Sequence, residues 1–176
     1  TGKLEQAIAD YTQAITLNPS DYNAYNNRGL VYERIKQYDQ AIDDYNAAIA
    51  IKQDYYQAWN NRGHAFSNLE QYDNALIDLN RAIALDSNRY KAYRNRGDVY
   101  QTLRQYDLAI ADYTKAIELK PEDSLNYYGR GEIYNEMDQY NNAIEDYTHA
   151  IKLNPTDCDA YNNRGLAYHC MDMNRH

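Results

Sequence analysis

Ala24-Tyr25-Asn26-Asn27-Arg28-Gly29 decides how this chain folds, because the same phrase returns down its length. It recurs as Ala58-Trp59-Asn60-Asn61-Arg62-Gly63, Ala92-Tyr93-Arg94-Asn95-Arg96-Gly97, Asn126-Tyr127-Tyr128-Gly129-Arg130-Gly131 and Ala160-Tyr161-Asn162-Asn163-Arg164-Gly165. Every step is 34 residues. A second phrase, Gln37-Tyr38-Asp39-Gln40-Ala41-Ile42, keeps that period at Gln71, Gln105 and Gln139, and Ala7-Ile8 falls one period earlier. A fixed period of this size marks an array whose units bury their faces on one another.

Within one unit the apolar spacing is helical twice over. Ala24, Tyr25, Val31, Tyr32 and Ile35 form one stripe; after a break at Lys36-Gln37, Tyr38, Ala41, Ile42, Tyr45, Ala48 and Ile49 form another. Asp39, Asp73, Asp107 and Asn141 precede the second run and are expected as its N-caps. Asn18-Pro19, Lys120-Pro121 and Asn154-Pro155 follow it, where proline stops a helix. Each unit therefore reads as a helical hairpin, helix A then helix B.

Composition narrows the function. The net charge of −8 argues against a nucleic-acid binder, which needs a basic stripe. A mean hydropathy of −0.92 without a long apolar run gives no membrane span. Apolar and aromatic residues make up 44% of the chain, too many for a disordered acidic tail. Cys158 and Cys170 form no CxxC pair and no disulfide framework, which favours a reducing, cytoplasmic compartment.

The repeat resembles the tetratricopeptide repeat family, whose pattern is W-x2-L-G-x2-Y, then A-x3-F, then P. Counting from Tyr22, Tyr56, Tyr90, Ser124 and Cys158, position 4 holds Tyr25, Trp59, Tyr93, Tyr127 and Tyr161. Position 8 holds Gly29, Gly63, Gly97, Gly131 and Gly165; position 11 holds Tyr32, Phe66, Tyr100, Tyr134 and Tyr168; position 20 holds Ala7, Ala41, Ala75, Ala109 and Ala143. The resemblance implies an all-α, right-handed superhelical solenoid of about ten helices. Residues 1–21 read as helix B of a truncated repeat, 22–55, 56–89, 90–123 and 124–157 as full repeats, and 158–176 as helix A of another. The excess of tyrosine, 21 against one phenylalanine and one tryptophan, falls mostly on positions 4, 11, 17 and 24 and is read as packing. The tyrosine hydroxyls are expected at the solvent edge or on a polar partner.

Two features depart from the family pattern. Position 7, leucine in the family, is arginine in every unit: Arg28, Arg62, Arg96, Arg130 and Arg164. Position 23 is aspartate throughout: Asp10, Asp44, Asp78, Asp112 and Asp146. Pairing each aspartate with the arginine of the next unit, as Asp10–Arg28 and Asp44–Arg62, gives all ten a partner, and that register is the expectation. The A-to-B turn, often glycine in the family, holds Lys36, Glu70, Arg104 and Asp138 and is expected to carry strain.

The resemblance also places a peptide groove on the A helices, at positions 2, 5, 6, 9, 12 and 13. Position 6 reads Asn27, Asn61, Asn95, Gly129 and Asn163. Similar ladders occur in the repeat domain of O-linked N-acetylglucosamine transferase. A primary amide both donates and accepts, so a row of them can pair with the main chain of an extended peptide. Asn26, Asn60, Lys91, Arg94 and Tyr128 complete the candidate peptide-binding set, with Lys91 and Arg94 as an anchor for an acidic group and Tyr128 as an aromatic contact. A carboxylate clamp like that for chaperone tails fits at Asn61 and Lys91 but fails at Leu30 and Asn95. Other inward positions are mixed: Glu33, Arg34, His64, Asn68, Asp98, Glu132 and Glu136.

No phosphate loop, GxSxG elbow or HExxH motif appears, so no catalytic residue, cofactor or metal is assigned. His169, Cys170 and His176 have ragged spacing for ligands. The expected function is a non-enzymatic scaffold that binds an extended peptide of a protein partner, with neither nucleic acid nor membrane. The alternatives are the substrate-recruiting arm of a larger enzyme and a self-assembling module. An opening B helix and a closing A helix are complementary, so head-to-tail contact of residues 158–171 with residues 1–17 of another chain is a further expectation.

Overall fold

The computed structural model describes residues 2–173. Among them there are ten α-helices and no strand: α1 (Gly2–Leu17), α2 (Tyr22–Arg34), α3 (Tyr38–Ile51), α4 (Tyr56–Asn68), α5 (Tyr72–Leu85), α6 (Tyr90–Thr102), α7 (Tyr106–Leu119), α8 (Ser124–Glu136), α9 (Tyr140–Leu153) and α10 (Cys158–Met173). They form two compact units divided after Ser87, the first holding α1–α5 and the second α6–α10. In the first unit α2 pairs with α3 and α4 with α5, and α1 packs on α2. In the second α6 pairs with α7, α8 with α9, and α10 packs on α9.

Small residues let the paired helices approach closely. Ala41, Ala48, Ala75, Ala82, Ala109, Ala116, Ala143 and Ala150 on the B helices are fully buried. Across from them, a Cβ placed on Gly29 would lie 2.7 Å from Tyr45 Cε1, and one on Gly131 would lie 2.9 Å from Tyr147 Cε1. Position 8 is thus glycine because the large residue at position 24 fills the space a side chain would need.

The A-to-B turn is a Schellman-type closure. In the first full repeat, the Gln37 amide donates to the Tyr32 carbonyl at 2.8 Å and the Lys36 amide to the Glu33 carbonyl at 2.9 Å. This geometry needs a left-handed residue, and Lys36, Glu70, Arg104 and Asp138 adopt φ of 61°, 58°, 57° and 56°. The expected strain is therefore present in all four turns. The expected N-caps are corrected: Gln37, Gln71, Gln105 and Gln139 hold the cap positions without a side-chain bond to the helix amides, and Gln71 and Gln139 instead accept from the side chains of Asn74 and Asn142. The turn closes two residues earlier than the sequence suggested, which carries Asp39, Asp73, Asp107 and Asn141 into the first helical turn. There the negative charge of the aspartates still suits the helix dipole.

The ion-pair register is also corrected. Arg28 pairs with Asp44, Arg62 with Asp78, Arg96 with Asp112 and Arg130 with Asp146, each within its own unit. Asp10 instead accepts from Gln6 Nε2 at 3.0 Å, and Arg164 donates to Thr148 Oγ1 at 3.1 Å. The cause is hairpin geometry. Lys36 lies midway between Arg28 and Asp44, eight residues from each, so folding about that turn sets the two side by side. What reaches the preceding repeat is the second arm of the fork: Arg28 Nη1 donates to Thr12 at 2.9 Å, Arg62 Nη1 to Asn46 at 2.6 Å and Arg130 Nη1 to Thr114 at 3.0 Å.

Candidate functional site

Position 7 points its arginine toward helix B, and the candidate binding positions 2, 5, 6, 9, 12 and 13 lie elsewhere on the A helices. In the first unit positions 5 and 6 are wired by amides. Asn60 Nδ2 donates to Asn61 Oδ1 at 3.1 Å, Asn61 Nδ2 to Asn26 Oδ1 at 3.0 Å, and Asn26 Nδ2 to Asn27 Oδ1 at 3.5 Å. Asn26 and Asn60 are buried, at 4% and 7% exposure, which removes them from the peptide-facing set. They are held beneath Asn27 and Asn61, which stay half-buried. The reason is phase: on these helices position 5 turns toward the neighbouring A helix and position 6 toward its edge.

Beside the amides sits a carboxylate relay. Tyr45, fully buried, donates its hydroxyl to Glu33 Oε2 at 2.8 Å, and Glu33 Oε1 meets His64 Nδ1. Asn68 Nδ2 donates to the His64 carbonyl at 2.9 Å. Burial, and then the Glu33 charge, push the Tyr45 phenol well above its ordinary range. A pocket of about 330 Å³ opens here, lined by Leu30, Glu33, Arg34, Tyr38, His64 and Asn68.

The second unit is built differently. Of the expected Lys91–Arg94 anchor, Arg94 is engaged by Asp123, its Nη1 donating to Oδ2 at 3.3 Å, and Lys91 is exposed. Asn95 is half-buried. Tyr128 accepts from Asn163 Nδ2 at 3.0 Å. Burial, the charge of Glu132 and a hydrogen bond to it raise the Tyr128 phenol to about 12. The amide row is interrupted at Gly129 for a steric reason: a Cβ there would lie 2.4 Å from the Tyr113 ring. Tyr113 leans that way because its hydroxyl donates to Asp98 at position 9, whereas Tyr45 reaches position 12 and leaves room for Asn61.

Carboxylates dominate this unit's face. Glu132 is raised first by burial and then by the charges of Glu136, Asp98 and Asp159, against a lowering bond from Tyr128. From the sequence Asp98, Glu132 and Glu136 are only mixed groove positions; the position-24 tyrosines are packing residues whose hydroxyls are expected on a polar partner, and Tyr45 and Tyr113 do reach one, in Glu33 and Asp98. The signal that joins them is an acid at position 9 or 12 in units with tyrosine at position 24. Among the described residues no three His, Cys, Asp or Glu side chains stand together as a metal site. His169 is exposed, Cys170 is half-buried, and His176 lies outside the described residues. No described helix is long and apolar enough to cross a membrane.

The tetratricopeptide repeat family model matches residues 22–55, 56–89 and 90–123, and a second model of that description matches 112–145. A TPR repeat model matches 1–36 and 131–172. The chain belongs to the tetratricopeptide repeat family. Its fold is shared with solved structures, among them two described as TPR proteins. TTC0263, a thermophilic TPR protein of Thermus thermophilus, is 20% identical with a TM-score of 0.82, the match covering 95% of this chain and 91% of that one. MamA is 24% identical with a TM-score of 0.76, over 90% and 92% of the two chains. YrrB, described as a TPR protein with an unusual peptide-binding site, is 26% identical with a TM-score of 0.73, over 93% and 84%. Comparison with curated proteins returns no match. Tetratricopeptide repeats are typical protein–protein interaction scaffolds, and this array is a scaffold of that kind.

Proposed function

We propose that this tetratricopeptide repeat protein binds an extended peptide segment of a partner protein along the exposed edges of its A helices, without catalysis. The observation that supports this reading is the Asn61 amide. Its Nδ2 and Oδ1 are each engaged once by Asn26 and Asn60, and a primary amide has a second N–H and a second lone pair to offer. The buried asparagines thus hold the position-6 amides in one orientation, which lowers the ordering cost of binding. Asn27, Asn95 and Asn163 stand at the same repeat position, and the peptide-binding site of YrrB gives a precedent for a ligand of this class.

Main-chain pairing of this kind selects extended segments more than particular side chains. At about 0.5–1.5 kcal/mol net per bond, the position-6 amides together supply about 2–6 kcal/mol, which on its own corresponds to binding in the millimolar range. The test is a peptide array probed with the wild-type chain and with Asn61→Ala and Asn95→Ala variants. Loss of capture in both variants is the expected result. Unchanged capture by both would remove the amide mechanism.

A further inference from the structure

Position 24 places a tyrosine beneath the A-helix face in three full repeats, and two of the three hydroxyls are satisfied. Tyr45 donates to Glu33 and Tyr113 to Asp98. The third, Tyr147 on α9, is fully buried, and its hydroxyl has no hydrogen-bond partner. Its ring stands against Gly131 of α8, with the Tyr128 ring 5.9 Å away. On α8 a second buried oxygen, Asn135 Oδ1, also lacks a partner. Asn135 occupies position 12, where Glu33 receives the tyrosine in the first full repeat.

The Tyr147 hydroxyl lies within electrostatic reach of two carboxylates on α8, Glu132 and Glu136. Glu132, Asn135 and Glu136 fall at i, i+3 and i+4 and so share one face of α8. Glu132 is half-buried and feels the charges of Glu136, Asp98 and Asp159. Glu136 already accepts from Gln101 Nε2 of α6 at 2.6 Å. Buried oxygens without donors, set beside crowded carboxylates, are the chemical complement of a group with several N–H donors and a positive charge. We propose that this face of α8 is a subsite for a cationic side chain, lysine or arginine, of the bound segment. The proposal rests on the peptide reading above and adds to it the charge of the partner. Tyr128, tied to Asn163 and packed against Tyr147, forms the wall along which the aliphatic stem lies.

The experiment reads the subsite without any peptide. The full chain, labelled for amide NMR, is titrated with Nα-acetyl-arginine amide, Nα-acetyl-lysine amide and the neutral citrulline analogue. A cation-selective, saturable shift of the Gly129 and Gly131 amides is expected, with Gly29 and Gly63 unmoved. Glu132→Gln should weaken it about tenfold, as loss of one charge-assisted contact. Tyr147→Phe, which keeps the packed ring, should weaken it measurably less. Equal shifts by citrulline, equal movement of Gly29 and Gly63, or an unchanged response in Glu132→Gln each overturn the proposal. So does a response to calcium ions alone, which would make the site a metal site. A silent peptide array with a positive titration would instead overturn only the main-chain reading. Capture of neutral peptides with a negative titration would overturn only this one.

Discussion

Arg28 and Asp44 meet through two parallel hydrogen bonds, Nε to Oδ2 at 2.8 Å and Nη2 to Oδ1 at 2.7 Å. The guanidinium is flanked by the rings of Tyr25 and Tyr32, 5.8 and 5.9 Å from their centroids. Arg62 is flanked in the same way by Trp59 and Phe66, and Arg96 by Tyr93 and Tyr100. The tyrosine-rich composition and the unusual arginine are therefore one device: aromatic residues three before and four after shelter a bidentate fork. The bond to Asp112 holds the Arg96 guanidinium above its ordinary pKa, so the fork is intact across the neutral range.

The fork predicts a large and asymmetric mutational cost. Asp78 is almost fully buried at 3% side-chain exposure, against 17% for Arg62. Asp78→Ala leaves a guanidinium without its partner and is expected to destabilise the first unit by roughly 3–5 kcal/mol. Replacing both, as Arg62→Met with Asp78→Leu, should recover most of that loss. Urea unfolding followed through Trp59, the single tryptophan, reports on this unit. Additive losses in the double variant would show that the pair is not coupled.

A second prediction concerns the turns. Glu70 has φ 58°, a conformation that costs a residue with a Cβ roughly 1–2 kcal/mol. Glu70→Gly removes that strain but frees the unfolded chain, so a net gain of about 0.5–1 kcal/mol is expected. Asp138→Gly should gain less. Aspartate tolerates the left-handed region better, and its carboxylate accepts from Tyr140 at 2.5 Å. Thermal unfolding of the two variants, compared side by side, decides it; equal gains would count against the argument.

How much of this was legible in the sequence divides along a physical line. The period and the hairpin follow from spacing along one chain, and the strained turn from the residues that stand where the family often has glycine; the large residue facing the position-8 glycine of each full repeat is seen only in the fold. The partner of Arg28 did not, because counting charges favours the register that satisfies all ten residues. Folding about Lys36 favours the one that sets Asp44 opposite. The asparagines show the same limit. Asn26 and Asn27 are chemically identical neighbours, and only the rotation of α2 against α4 decides which one is buried. Nor does spacing reveal that the Tyr147 hydroxyl lacks a partner, since Glu132 stands at position 9 just as Asp98, which receives Tyr113, does one repeat earlier.

Gly129 offers a third test. Restoring the amide row by Gly129→Asn would drive a Cβ to 2.4 Å from the Tyr113 ring. Overpacking of this kind costs about 1–3 kcal/mol. Tyr113→Leu supplies the residue type that Leu79 provides one repeat earlier, and added to Gly129→Asn it should restore stability. Calorimetry on the single and double variants measures this. A single variant as stable as wild type would mean that the ring moves aside without cost.

The last prediction joins the acidic face to stability. Burial and neighbouring carboxylates raise the Glu132 pKa above the ordinary value of 4.5. A raised pKa means that the folded state holds the proton more tightly than the unfolded chain. The stabilisation is thus complete below 4.5 and is lost as pH climbs through the raised value. At neutral pH the ionised Glu132 is a burden on the fold. Glu132→Gln keeps an acceptor for Tyr128 while removing the charge, so its melting temperature should exceed that of wild type at about pH 7. The gap should close near about pH 4, where wild-type Glu132 is itself protonated. A melting difference that is independent of pH, or of opposite sign, would show that Glu132 is not under electrostatic strain. The same reasoning requires that Nα-acetyl-arginine amide raise the melting temperature of wild type at neutral pH and leave Glu132→Gln nearly unaffected, because a bound cation relieves only a charge that is there to be relieved.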